Sequence, residues 1–389
     1  MKLAAAGLAG MLLVAAAPVR AQEDLPASSI LAPREGFRIE SVGMRTTYYD
    51  QMGYGFQSQA GPVQGPGSEQ LTVWQPQLEV TARQGDRVTY RLWIPVDIVT
   101  AASPDAVDGV DCVSGASRVN EAGSIELLTT YRRDSGTQWT IHPGFHLEEQ
   151  MRSWHLGFGT SRSLADDNAV LSASVDQNVD WLDDFTIHGE RIGHVMRTTS
   201  NASVGLTQLL SPTTAANVNY GLTVQFGELG DTWNSVPLAT GELASELLPR
   251  IRQRHAIVGR LAQWLPWQGA LHAFYRFYVD DWGIVAHSAE AELYQRFAPW
   301  LYVRANYRFH VQDPASFFAE HPSEIAVLRT SDSDLSGFHA QTLGGMAALE
   351  WTPAGGRVRS VHVEAGYERY FRSNGLAVDI YTCAVALGL

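Results

Sequence analysis

Sixteen short stretches of alternating apolar and polar residues run from about Phe37 to Leu389, and the connections between them alternate as well, tight turn followed by longer loop. A period of two places successive side chains on opposite faces of a strand, so each strand faces two different environments. Unequal connections mean that the two ends of every hairpin meet different constraints. A closed transmembrane barrel of antiparallel strands produces both patterns together.

The alternation is clearest late in the chain. Leu271, Ala273, Tyr275, Phe277 and Val279 alternate with His272, Arg276, Tyr278 and Asp280. His287, Ala289, Ala291, Leu293 and Phe297 oppose Ser288, Glu290, Glu292, Tyr294 and Arg296, and Leu301, Val303, Ala305, Tyr307 and Phe309 oppose Tyr302, Arg304, Asn306, Arg308 and His310. The first face suits lipid and the second suits water. Val88 to Ile98 and Val218 to Phe226 read the same way; the first strand, near Phe37 to Tyr49, has no clear face.

Tight turns of Gly, Pro, Asp and Ser fall near Gly85, Ser135, Asp166, Pro212, Pro266, Pro299 and Ala354. Longer connections are expected at about 51–69, 101–121, 181–197, 228–249 and 313–334, with short ones near Glu149, Asp281 and Asn374. With a periplasmic N-terminus, all tight turns fall inside and all long loops outside. The loops at 313–334 and 101–121 are the candidates to constrict the channel that a barrel of this strand number has room for.

The leading residues have the form of a signal peptide: Lys2, an apolar run from Leu3 to Ala17, and Val19-Arg20-Ala21 as a cleavage site. The expected organisation is a cleaved leader at 1–21, a short periplasmic segment at 22–36, and one barrel at 37–389 in the outer membrane. No linker divides the 389 residues into soluble domains, and no fixed repeat supports a propeller or β-helix. The basic residues are almost all arginine, and a net charge of −13 excludes a phosphate-binding surface for nucleic acid. Cys112 and Cys383 lie in no metal or redox motif and read as isolated thiols.

Tryptophan marks the expected membrane interfaces. Trp139, Trp264, Trp267, Trp300 and Trp351 stand beside tight turns; Trp74, Trp154, Trp181 and Trp282 stand near the other strand ends. Two aromatic girdles are expected from them.

Among polar groups, Arg276, Glu290, Glu292, Arg304 and Arg308 are expected to line the lumen. The turn at Ala298-Pro299 sets Glu290 and Glu292 opposite or diagonal to Arg304 and Arg308, at Cβ separations of roughly 4.5–5.5 Å, with Arg276 on the other side. This is a structural ladder or a selective constriction. Asp280-Asp281 reads as a strand end with Trp282 in the outer girdle, and Ser331-Asp332-Ser333-Asp334 as a solvated loop lacking the Gly and Glu of a calcium loop. His142 and His146 share a face, followed by Glu148, but no third metal ligand is evident, so neither a metal nor a cofactor site is assigned. No G-x-S-x-G or comparable nucleophile motif is present, and an enzyme is the least favoured class.

Several stretches resemble a bacterial family of outer-membrane proteins defined only as a domain of unknown function. They are Asp108-Gly109-Val110-Asp111, Val113-Ser114-Gly115-Ala116-Ser117, Leu206 to Pro212, Leu248-Pro249-Arg250 to His255, Leu265-Pro266, Tyr370-Phe371, and above all Tyr275-Arg276-Phe277-Tyr278-Val279-Asp280-Asp281-Trp282-Gly283. The resemblance implies no activity. It implies neighbours that include a periplasmic flavin transferase and small lipoproteins, hence a structural or docking role in an envelope redox system. From the residues themselves, a pore or transport conduit is the first expectation. Its partners would be outer-membrane lipid and the barrel-assembly machinery. The terminal Leu389 departs from the aromatic residue with which such barrels usually end.

Overall fold

The computed structural model describes residues 36–52, 71–101, 120–187, 190–230 and 234–389. Eighteen strands are present there: β1 (Phe37–Met52), β2 (Leu71–Gln84), β3 (Val88–Ala101), β4 (Asn120–Arg132), β5 (Thr137–Glu148), β6 (Met151–Leu164), β7 (Ala169–Phe185), β8 (Arg191–Ser211), β9 (Thr214–Gly227), β10 (Ser235–Pro237), β11 (Leu243–Ser245), β12 (Ile251–Leu265), β13 (Gly269–Asp280), β14 (Val285–Ala298), β15 (Leu301–Gln312), β16 (Phe338–Trp351), β17 (Ser360–Arg372) and β18 (Ala377–Gly388). All but β10 and β11 join one closed barrel in which each strand pairs with its sequence neighbours. Every pairing is antiparallel. The first and last strands close the ring along the register Ser41↔Gly388 to Met52↔Ala377. Closure leaves no edge strand with unpaired backbone groups, the condition for a sheet to stand in a membrane.

The alternation becomes two faces. Met44, Leu78, Ile141, Leu156, Phe158, Val175, Val204, Val218, Ile257, Leu271, Leu293 and Leu343 are exposed on the outer wall. No core covers them, so the outer wall is an apolar band around the barrel. A membrane-crossing strand needs about 9–11 residues, and the shortest wall strands, such as β5 and β13, have 12. The ambiguous first strand resolves once paired: Met44 and Tyr48 face out, with Leu78 and Trp74 beside them on β2.

Both chain ends of the barrel meet at the tight-turn end, where Arg359 N–H donates to Gly388 O at 2.7 Å and Leu389 N–H to Glu40 O at 2.8 Å. The turn expected at Ala354 is a longer connection, residues 352–359. The long loop expected at 181–197 is instead mostly strand. Strands β7 and β8 continue to Phe185 and from Arg191 because the alternation does not stop: Leu182 points in and is buried, while Met196 points out. The Asp183 carboxylate takes Arg191 at 2.9 Å and His194 at 3.0 Å, tying the two extensions together. Residues 1–35, 53–70, 102–119, 188–189 and 231–233 lie outside the described residues, and with them the expected leader, nearly all of the expected periplasmic segment at 22–36, Cys112 and most of the loops expected at 51–69 and 101–121. Cys383 is a free thiol on the exposed outer side.

Candidate functional site

Register and alternation bring the five expected lumen charges onto one inner surface. Glu290 on β14 faces Arg308 on β15 directly, and its Oε2 accepts from Arg308 Nε at 2.9 Å and Nη2 at 2.6 Å. Arg304 lies diagonal to Glu292, with a 3.4 Å separation. It also reaches past β16 to Glu368 on β17 at 3.0 Å. Gly344 makes that reach feasible. It is the residue of β16 paired with both Asn306 and Glu368, and a β-carbon there would lie 3.0 Å from Asn306 Oδ1 and 2.9 Å from a backbone oxygen. Arg276 is opposite Ser288 and lays its guanidinium 5.3 Å from the Tyr278 ring centre.

The ladder continues around the wall. Glu292 also receives the Tyr294 hydroxyl at 3.2 Å and faces His272 at 3.4 Å. Arg45 on β1 pairs with Glu364 at 2.6 Å, Arg296 with Glu350 at 3.1 Å, and Arg91 with Glu79 at 2.6 Å. These groups remain partly wet, so each pair contributes at most about 1 kcal/mol. Their collective effect is a lumen surface of alternating sign.

The end opposite the tight turns is partly covered from within. Residues 228–230 and 234–250, the latter carrying the small hairpin of β10 and β11, and residues 313–337 pack over the mouths of β12 to β17. Leu248, Trp282, Ile284, Ala286, Ala315 and Leu335 form one buried apolar cluster. The two loops are stitched together by the Leu247↔Arg329 bridge and by the Thr330 hydroxyl donating to Glu246 at 2.5 Å. The wall holds them through Arg372, which pairs with Asp334 at 2.5 Å, and through Gln312, whose amide donates to Asp334 O at 2.9 Å and Ser336 O at 2.8 Å.

Two expectations are corrected here. Trp282 is not in the outer girdle: it is 2% exposed, its indole N–H donates to Ile251 O at 3.1 Å, and its ring lies edge-on to Phe317 at 5.2 Å. Asp280 pulls it inward by accepting its backbone N–H at 3.0 Å. The stretch Ser331 to Asp334 is not a solvated loop. Thr330 and Ser331 are buried, Asp332 caps a 3₁₀ turn at Ser333–Leu335, and Asp334 is the partner of Arg372.

The other tryptophans divide by position. Trp139 and Trp351 stand exposed on the outer face near the tight turns, Trp154 near the loop end, and Trp267 and Trp300 within turns. Trp264 pairs with Ala270 on the lumen-facing rows, so it sits at the inner rim of the turn end. Tyrosines missed in the sequence complete the loop-end belt: Tyr48, Tyr367 and Tyr381 lie together, with ring centres 5.2 Å apart for the last two. Their clustering depends on the register between β1, β18 and β17, which one strand's alternation does not give.

Residues 157–378, more than half of the chain, match a family described as "Protein of unknown function (DUF3570)". The chain belongs to this DUF3570 family. No curated protein matches it. Solved structures with a similar overall course include OpdQ of Pseudomonas aeruginosa, at 12% identity, covering 90% of this chain and 98% of that one with a TM-score of 0.45. A BenF-like porin from Pseudomonas fluorescens Pf-5 has 9% identity, 90% and 99% coverage and a TM-score of 0.46. The siderophore receptor PirA from Pseudomonas aeruginosa has 9% identity, 90% and 62% coverage and a TM-score of 0.44. These similarities are low; the barrel of this DUF3570 protein stands on its own strand pairing.

Proposed function

We propose that this DUF3570 protein is a Gram-negative outer-membrane barrel that conducts small hydrophilic solutes, with both termini and the tight turns on the periplasmic side. The carrying observation is the opposition of its faces: an uncovered apolar band outside, and inside a ladder of paired charges from Arg45–Glu364 round to Glu290–Arg308. A barrel built only as a scaffold has no need of charged pairs lining its inner surface across β14 to β17 and β1 to β3. The loops at 228–250 and 313–337 narrow the outer mouth, and the alternating lumen charges favour polar solutes over apolar ones. Outer-membrane lipid packs on the band, and the barrel-assembly machinery inserts the chain.

Planar-bilayer recording of the purified barrel tests this reading. Discrete conductance steps are expected, larger after residues 313–337 are shortened to a tight turn. A barrel that stays silent both intact and with that loop shortened is not a conduit.

A further inference from the structure

We propose that His142, His155 and Asp176 form a binding site for a divalent first-row transition-metal ion on the inner wall of the barrel, about halfway along β5, β6 and β7. His142 Nδ1 and His155 Nε2 face each other at 3.3 Å, and one carboxylate oxygen of Asp176 lies 3.8 Å from His155 Nε2. All three ligand atoms lie within 4.8 Å of one another. A tetrahedral zinc ion about 2.0–2.1 Å from two nitrogens holds them about 3.3 Å apart, which is the spacing between the imidazoles here.

The outer nitrogens of both rings are already committed. His142 Nε2 is 2.8 Å from Glu126 Oε2, a carboxylate that only accepts, so that nitrogen carries the proton. His155 Nδ1 is 2.5 Å from Asn178 Oδ1 and donates to it. In neutral rings the two facing nitrogens are then both lone pairs. Lone pairs at this distance repel unless a cation lies between them. A carboxylate behind one histidine and an amide oxygen behind the other are the partners that orient metal-bound imidazoles and raise their basicity.

The backbone is shaped for this convergence. Glu126, Gly144, His155 and Asn178 form one cross-strand row, and His142, Gly157 and Asp176 the next. Glycine sits where a side chain would separate the ligands. A β-carbon on Gly157 would overlap Asp176 Oδ1, and one on Gly144 would lie 3.1 Å from Glu126 Cγ and 3.5 Å from His155 Cβ. The Ser174 hydroxyl, 3.5 Å from Asp176 Oδ2, steadies the other carboxylate oxygen. The side chains of His142, His155 and Asp176 are about a quarter exposed, at 26%, 23% and 27%, so lumen water reaches the site and can supply a fourth ligand. Imidazole donors favour zinc, copper or nickel over magnesium or calcium.

The site does not depend on whether the barrel conducts, and binding is measured directly. The full mature barrel, chelator-treated and held in detergent, is titrated with Zn²⁺ alone by calorimetry, with circular dichroism as the check on folding. One saturable site per barrel is expected. Asp176→Asn and His155→Ala should each weaken it by about tenfold or more; if His155→Ala does not fold, Asp176→Asn carries the comparison. Gly157→Ala, which keeps all three ligand residues but displaces the Asp176 carboxylate, should also weaken it, whereas His146→Ala should leave it unchanged. Absence of saturable Zn²⁺ uptake, or uptake equal in wild type and Asp176→Asn, overturns the proposal and leaves a shared proton as the cation between the rings.

Discussion

Arg252 and Asp280 form a buried ion pair at the loop end of the lumen, with Asp280 Oδ2 accepting from Arg252 Nη2 at 2.6 Å and Nε at 2.9 Å. The same carboxylate accepts the backbone N–H of Trp282 and of Ile284, each at 3.0 Å. The guanidinium in turn lies 4.1 Å from the Trp282 ring centre. One aspartate therefore ends β13, shapes the turn into β14 and holds the indole under the loops. Asp280→Ala leaves a buried cation and two buried amides without partners, at an expected cost of about 3–5 kcal/mol. Equilibrium urea unfolding in a refolding lipid or detergent system measures it. Replacing both partners, Arg252→Met with Asp280→Leu, should recover part of the loss, because no unpaired charge remains.

Asp334 and Arg372 hold the 313–337 loop to the wall, and Arg372 also covers the Phe338 ring at 4.4 Å. Asp334→Ala removes the loop's charged anchor while leaving the apolar cluster around Leu335. The expected outcome is a barrel destabilised where Arg372, only 7% exposed, loses its carboxylate, with a larger and noisier single-channel current. A current indistinguishable from wild type would mean that this loop does not narrow the path.

Arg304 pairs with Glu292 and Glu368 at once, at 3.4 Å and 3.0 Å. Arg304→Ala leaves two carboxylates on the lumen wall with one fewer cation between them. Selectivity should shift toward cations, read as a change in reversal potential under a salt gradient, and the shift should shrink at high ionic strength as the charges are screened. Arg308→Ala should shift selectivity in the same direction by uncovering Glu290.

The wall was legible in the sequence because its information is local. A period of two fixes which side chains share a face, and the short turn at Ala298-Pro299 fixes Glu290 against Arg308 within one hairpin. What was not legible spans more than one hairpin. Arg304 reaches Glu368 only because Gly344 lies between them on a third strand. His142 gained its partners when β6 and β7 brought His155 and Asp176 beside it, and a cross-strand row cannot be read from one strand's spacing. Trp282 was read as an interface residue because tryptophan commonly is one. Its burial follows from Asp280, from Arg252 on the preceding strand and from Phe317 in a later loop. The loop expected at 181–197 is instead mostly strand, with Asp183 paired to His194 and Asp184 to Gly193 across the extended β7–β8 hairpin.

Adjacent residues on β12 provide the sharpest test of which face meets lipid. Ile257 is 49% exposed on the outer wall, beside Tyr220 on β9 and Phe277 on β13, whereas Val258 points inward opposite Arg276. Both lie near the middle of Ile251–Leu265, so they share depth and backbone geometry and differ only in face. Ile257→Arg places a charge in hydrocarbon and should destabilise the inserted barrel by about 2–4 kcal/mol. Val258→Glu places a carboxylate in the lumen near Arg276 and should cost little. Paired unfolding titrations in phospholipid vesicles make the comparison. Equal losses for the two variants would remove the distinction between a lipid face and a wet face on which the conduit reading depends.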